Sequence, residues 1–146
     1  MKNKPKITRV QLQVSGEESY VLLGIASTEP DYKLSLLLNR ILNLSLRNVN
    51  PVEIAFEDGR HLSFSRFTSH SEELESTCSL IANRTGNDFL IRKLNKIDYF
   101  LLIHSPEAET EAERITPDLR NIDCITAVFN LNPADIRDKN LQYLIP

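Results

Sequence analysis

Reactive chemistry in a chain of 146 residues would rest on its histidines, cysteines and clustered carboxylates. The three histidines are His61, His70 and His104, and the two cysteines are Cys78 and Cys124. Metal sites need convergent ligands, typically announced by Cys-x-x-Cys or His-x-x-x-His, and the sequence contains neither. Four glycines leave no phosphate-cradling loop of either common pattern. Gly-x-Ser-x-Gly and Ser-x-x-Lys are absent as well. Both cysteines fall in apolar, strand-like runs, which reads as small buried hydrophobes rather than nucleophiles. Glu107, Glu109, Glu111 and Glu113 form an acidic run. It reads as the solvated start of a helix, where carboxylates favour the positive dipole end. The sharper reading is an acid–base pair, but a spacing of two sends neighbouring side chains to different faces. No cofactor, metal or catalytic residue is expected.

Three groups of residues repay closer reading. Asp98 interrupts the most apolar stretch of the chain, residues 97–103, beside Tyr99. A buried carboxylate must be paired or hydrogen-bonded. Either Asp98 sits at the strand entry and accepts backbone N–H groups or Lys96, or it faces a ligand or partner. The second group is Tyr32, Leu36, Asn39, Arg40 and Asn43, opposite the apolar side of a predicted helix. Tyr and Arg beside a Leu are residue types enriched at protein interfaces, so this stripe is either partly buried within the monomer or an interface. The third group is basic. Arg84, Arg92, Lys93 and Lys96 form one patch, and Lys2, Lys4, Lys6 and Arg9 form an N-terminal arm. Each reads as solvated, or as a salt-sensitive contact for phosphates; no aromatics interleave in the arm to stack bases.

Hydropathy periods supply the elements that must position these groups. Residues 10–14 alternate as a half-buried strand, and residues 20–26 as a more buried one, with Gly16 suggesting a hairpin between them. Leu34, Leu37, Leu38, Ile41 and Leu42 predict a helix over about 30–46, with Thr28 or Asp31 as its cap and Asn48-Val49-Asn50-Pro51 as its break. Residues 52–56 and 62–67 predict a hairpin through a type I′ Asp58-Gly59 turn, with a bulge between Phe64 and Phe67. Strands follow at 78–82, 89–91 and 97–103, the last apolar on both faces and therefore central. Ala108, Ala112, Ile115, Leu119 and Ile122 predict a helix over about 107–122 that Pro117 either kinks or restarts. Residues 123–131 form a last strand, with Ile125, Ala127, Phe129 and Leu131 on one face, and residues 141–145 should pack. Helices do not alternate strictly with strands. The expected fold is α+β, a largely antiparallel sheet of six or seven strands with two main helices, in a single domain 1–146 with a flexible basic arm at 1–6.

Seventeen Lys and Arg against 20 Asp and Glu give a net charge of −3, so no global field draws the chain to nucleic acid. The first residues lack the apolar core of a secretory signal, and no apolar run approaches the length of a membrane span. Two reduced cysteines suit the cytoplasm.

Residues 91–99 read Ile91-Arg92-Lys93-Leu94-Asn95-Lys96-Ile97-Asp98-Tyr99. This resembles a bacterial family named for an Ile-Pro-Glu-x-x-x-Val-Asp-Tyr motif (IPExxxVDY). Ile91, Asp98 and Tyr99 match, Ile97 replaces Val, and Arg92 and Lys93 stand where the family has Pro and Glu. Leu23-Gly24-Ile25, Tyr32 with Leu34, and Leu38-Asn39-Arg40 extend the resemblance over most of the chain. The resemblance implies no assigned activity, and Lys93 in place of Glu speaks against a catalytic role there.

The expectation is therefore a small, non-catalytic cytoplasmic interaction or regulatory domain that self-associates, most simply as a homodimer, with an unidentified protein partner. Its candidate interface or ligand-facing residues are Tyr32, Leu36, Asn39, Arg40, Asp98 and Tyr99. An RNA-associated accessory protein and a small-molecule-binding domain with a pocket between the helices and the central strand are the alternatives.

Overall fold

A computed structural model describes residues 19–145. The expected strand at 10–14 and the basic arm lie outside them. The described chain runs β1 (Tyr20–Ser27), α1 (Asp31–Leu42), β2 (Arg47–Ala55), β3 (His61–Ser71), β4 (Ser76–Ala82), β5 (Arg84–Thr85), β6 (Asp88–Phe89), β7 (Tyr99–His104), α2 (Ala108–Arg120) and β8 (Ile125–Leu131). Six strands form one antiparallel sheet in the order β2-β3-β4-β7-β1-β8, and β5 and β6 form a separate small ribbon. The α+β expectation holds. β1 pairs with β7 on one side and β8 on the other. Over Leu22–Ile25 both its edges are taken; the hairpin suggested through Gly16 turns outside the described residues.

The apolar side chains explain the layers. On β1, Val21, Leu23 and Ile25 face the helices and join Leu34, Leu38, Leu42, Leu101, Ile103, Ala112, Ile115 and Leu119. Leu22, Phe64, Ile81 and Phe100 point the other way, under Leu90, Ile91, Ile97, Ile136 and Leu144. One face of the sheet is thus covered by helices, the other by the 90–97 excursion and the C-terminal segment. β7 lies centrally and is apolar on both faces, as its sequence predicts.

Several expectations need correction. α1 stops at Leu42 rather than about 46, because Asn43 adopts φ 57° and the chain turns into β2 at Arg47. Asn is among the few residues that accept that left-handed conformation at a helix end. Neither Thr28 nor Asp31 is the cap; Pro30 holds that position, and its carbonyl accepts from Lys33 and Leu34. The buried side of α1 is rotated from the expected one: Ser35 is buried and donates to the Tyr32 carbonyl, while Ile41 is 41% exposed. Asn50 and Pro51 do not break a helix. They lie inside edge strand β2, where the register shifts between Val49 and Val52. Proline is tolerated there because an edge strand need not donate on its open side. The bulge therefore belongs to β2; Phe64 and Phe67 of β3 simply alternate onto opposite faces. The hairpin loop is not type I′: Gly59 has φ 89° but Asp58 does not have positive φ, and Phe56 N–H donates to the Arg60 carbonyl across a three-residue loop. A second register shift, at Ala26/Ser27, puts Ile125 on the same face as Val128 and breaks the expected one-face set on β8. Cys124 precedes that strand, in the turn, and is only partly buried. α2 runs on through Pro117 as one helix, which closes the kink-or-restart alternative in favour of a single element.

Candidate interaction surface and its polar anchors

The residues that carry the motif resemblance are committed to the fold. Asp98 accepts from Ser27 N–H at 2.8 Å and from Arg84 at 2.7 Å, and its own N–H donates to the Ile25 carbonyl. It is a strand-entry clamp whose cation is Arg84 rather than Lys96. The Tyr99 hydroxyl donates to the Glu29 carbonyl at 2.6 Å. Burial first, then the carboxylates of Asp31 and Asp98, pushes the Tyr99 phenol up to about 12. Ile91 and Ile97 are buried. Ile97 lies on Gly24, where an added Cβ would sit 2.5 Å from its Cδ1. Arg92 and Lys93, the two departures from the motif, are exposed on a short 3-10 turn.

Two anchors fall outside the sequence expectations. Asn83 is fully buried; its amide donates to the Leu94 and Ile97 carbonyls and its Oδ1 accepts from Ile91 N–H. One side chain thereby ties the excursion over 91–97 to the end of β4. A polar residue closing an otherwise apolar strand was the available signal. The other anchor is Glu111, which accepts from Ser76 at 2.9 Å and Ser105 at 2.5 Å. It is the exception in the solvated acidic run. Its place three residues after Ala108 and four before Ile115 puts it on the buried side of α2. Beside it, burial and then the Glu111 charge push the Cys78 thiol up to about 12. That is the opposite of an activated thiolate.

His70, Cys78 and Glu111 line one hollow of about 610 Å³ together with Ser76 and Arg114, but the hydrogen bonds of His70 and Glu111 go to Thr77, Ser76 and Ser105 rather than to one another or to Cys78. His61 and His70 stand at the start and near the end of the same strand, β3, and His70 meets Thr77 at 3.1 Å. His104 ends β7, at the far end of that strand from Asp98, and its Nε2 is buried without a hydrogen-bond partner. No three His, Cys, Asp or Glu residues are arranged to hold a metal among the described residues. No helix among them is long and apolar enough to cross a membrane. Between α1 and the central strands the space is filled by Leu34, Leu38, Leu23, Leu101 and their neighbours. A hollow of about 380 Å³ opens beside α2, where Glu109, Glu113 and Arg120 flank Val21 and Val128.

The α1 stripe divides. Asn39 turns inward: its side chain donates to the Leu46 carbonyl and accepts from Leu46 N–H, which fixes the α1–β2 turn. Tyr32 and Leu36 are 58% and 65% exposed, and Arg40 is exposed beside them. Of the basic patch, Arg84 is held by Asp98, whereas Arg92, Lys93 and Lys96 are exposed and make no ion pair among the described residues. The four cations therefore do not act as one group. No family model matches the chain, and no curated protein matches it significantly.

Proposed function

We propose that this chain is a small, non-catalytic interaction domain of the cytoplasm that works by self-association, in line with its resemblance to the Ile-Pro-Glu-x-x-x-Val-Asp-Tyr family. One observation carries the reading. The polar groups best suited to chemistry, Asp98, Tyr99, Asn39, Asn83 and Glu111, are occupied in holding the backbone or, for Glu111, the hydroxyls of Ser76 and Ser105. Among the large side chains left outward, Tyr32 and Leu36 share one helix face with Arg40, and Tyr and Arg are of the kinds that anchor protein interfaces. Sedimentation velocity on the full chain from about 1 to 500 μM tests it, a span chosen because interfaces below the standard size are weak. A rise from monomer to dimer mass is the expected result; a strict monomer throughout defeats it.

A second reading rests on Arg92, Lys93 and Lys96, three exposed cations on one excursion. They suit phosphate contact, and binding through them would weaken steeply with salt. A salt-titrated RNA shift assay with these three changed to Ala decides it: binding at low salt that the triple change abolishes supports an RNA-associated role, and no binding at low salt ends it.

A further inference from the structure

Building on the self-association reading, we propose that the occupant of the α1 surface is a second copy of this chain, packed antiparallel through α1 about a two-fold axis at Leu36. The outward side of α1 carries Tyr32, Lys33, Leu36 and Arg40. Lys33 and Arg40 form no ion pair among the described residues. Lys33, Leu36, Leu37 and Arg40 surround a hollow of about 270 Å³. Those positions are i, i+3, i+4 and i+7, the four-residue hole that accepts a side chain from a facing helix.

The stripe is also complementary to itself. A two-fold axis through Leu36 sets the residue four before it opposite the residue four after it. Tyr32 of each copy then faces Arg40 of the other, which gives two guanidinium–aromatic contacts flanking a Leu36–Leu36 centre. Lys33 falls opposite position 39, where the Asn39 side chain is held inward by Leu46, so no second cation faces it. Asp31 begins α1 and Arg40 lies in its last turn, so antiparallel helices bring unlike ends together. Parallel packing would instead stack Arg40 on Arg40. The charge order along the helix therefore selects the antiparallel dimer, and a symmetric patch of this kind closes at two copies.

Leu36 is mostly exposed, so substitutions there leave the monomer core intact. Leu36→Glu places two carboxylates at the axis and should raise the dimer dissociation constant at least tenfold by sedimentation, with an unchanged circular dichroism spectrum. Leu36→Cys in a Cys124→Ser background should form a disulfide-linked dimer under mild oxidation. Helix axes about 8–10 Å apart bring facing Cα atoms at the crossing to about 4–5 Å, within disulfide reach. Lys33→Cys in the same background should link far more slowly. A dimer that ignores Leu36→Glu, or equal linking at positions 33 and 36, overturns this surface while self-association stands. A wild-type chain that stays monomeric overturns both.

Discussion

At the scale of single residues, the charge on Asp98 and its acceptor role separate cleanly. Asp98→Asn keeps an oxygen for Ser27 N–H but loses the ion pair to Arg84, whose side chain is 45% exposed. Screening limits that pair, so urea unfolding should show a loss of about 0.5–1 kcal/mol. Asp98→Ala also orphans the Ser27 N–H and should lose about 2 kcal/mol or more. Asn83→Ala strands the Ile91 N–H and the Ile97 carbonyl in the core, while the Leu94 carbonyl keeps the Ile97 N–H, and should cost about 3 kcal/mol, the larger effect of the two sites. Alkaline pH gives an independent check. The Cys78 thiol rises from its ordinary 9.0, and the Tyr99 phenol from 10.0, each to about 12. Both folded values lie above the unfolded ones, so the protonated forms contribute stability that is complete below about pH 9 and is lost as pH climbs to about 12. The melting temperature should therefore fall across that window. Cys78→Ala and Tyr99→Phe should each flatten the fall, whatever they cost at neutral pH.

At the scale of elements, the closest fit is that of Ile97 on β1. Gly24→Ala would drive a methyl into the Ile97 side chain, and the expected loss is about 1–3 kcal/mol, read from chemical denaturation. Ile97→Val in the same chain should return part of it by removing the offending methyl. Helices and strands were readable where one period ruled. Leu34, Leu38 and Leu42 announced α1, Ala112, Ile115 and Leu119 announced α2, and the doubly apolar residues 99–103 announced a central strand. Boundaries were less readable, because single side chains set them. Asn43 and Asn39 end α1 through a left-handed backbone and a bond to Leu46, neither of which leaves a hydropathy signature. The β2 bulge at Asn50-Pro51 resembles a helix break when only residue types are seen. The candidate surface was half legible for the same reason. Helical spacing grouped Tyr32, Leu36, Asn39 and Arg40, but only the fold shows that Asn39 is tied to the next turn while the other three face outward.

At the scale of the molecule, the sheet is covered unequally. Two helices pack on one face, whereas the other relies on the 90–97 excursion and a C-terminal segment built of short 3-10 turns. Leu144 is the enclosed inner side chain of that second cover. Leu144→Ala should cost about 2–4 kcal/mol and increase binding of a hydrophobic dye, since it opens the apolar floor around Phe64 and Phe100. A matching truncation in the exposed 3-10 turn, Tyr143→Ala, should leave dye binding almost unchanged.

The interior place of β1 bears on biosynthesis. Leu22 must find Leu131, so the first described strand leaves the ribosome long before the strand that flanks it has been translated. At about 5–20 residues per second, that interval is roughly 5–20 s for a bacterial or eukaryotic ribosome. Throughout it, a nascent segment of almost unbroken apolar character has an open hydrogen-bonding rim. Ribosome-stalled chains ending before residue 125 should accordingly be captured by ribosome-associated chaperones and cut readily by protease. Chains tethered far enough past residue 145 to clear the exit tunnel should resist both.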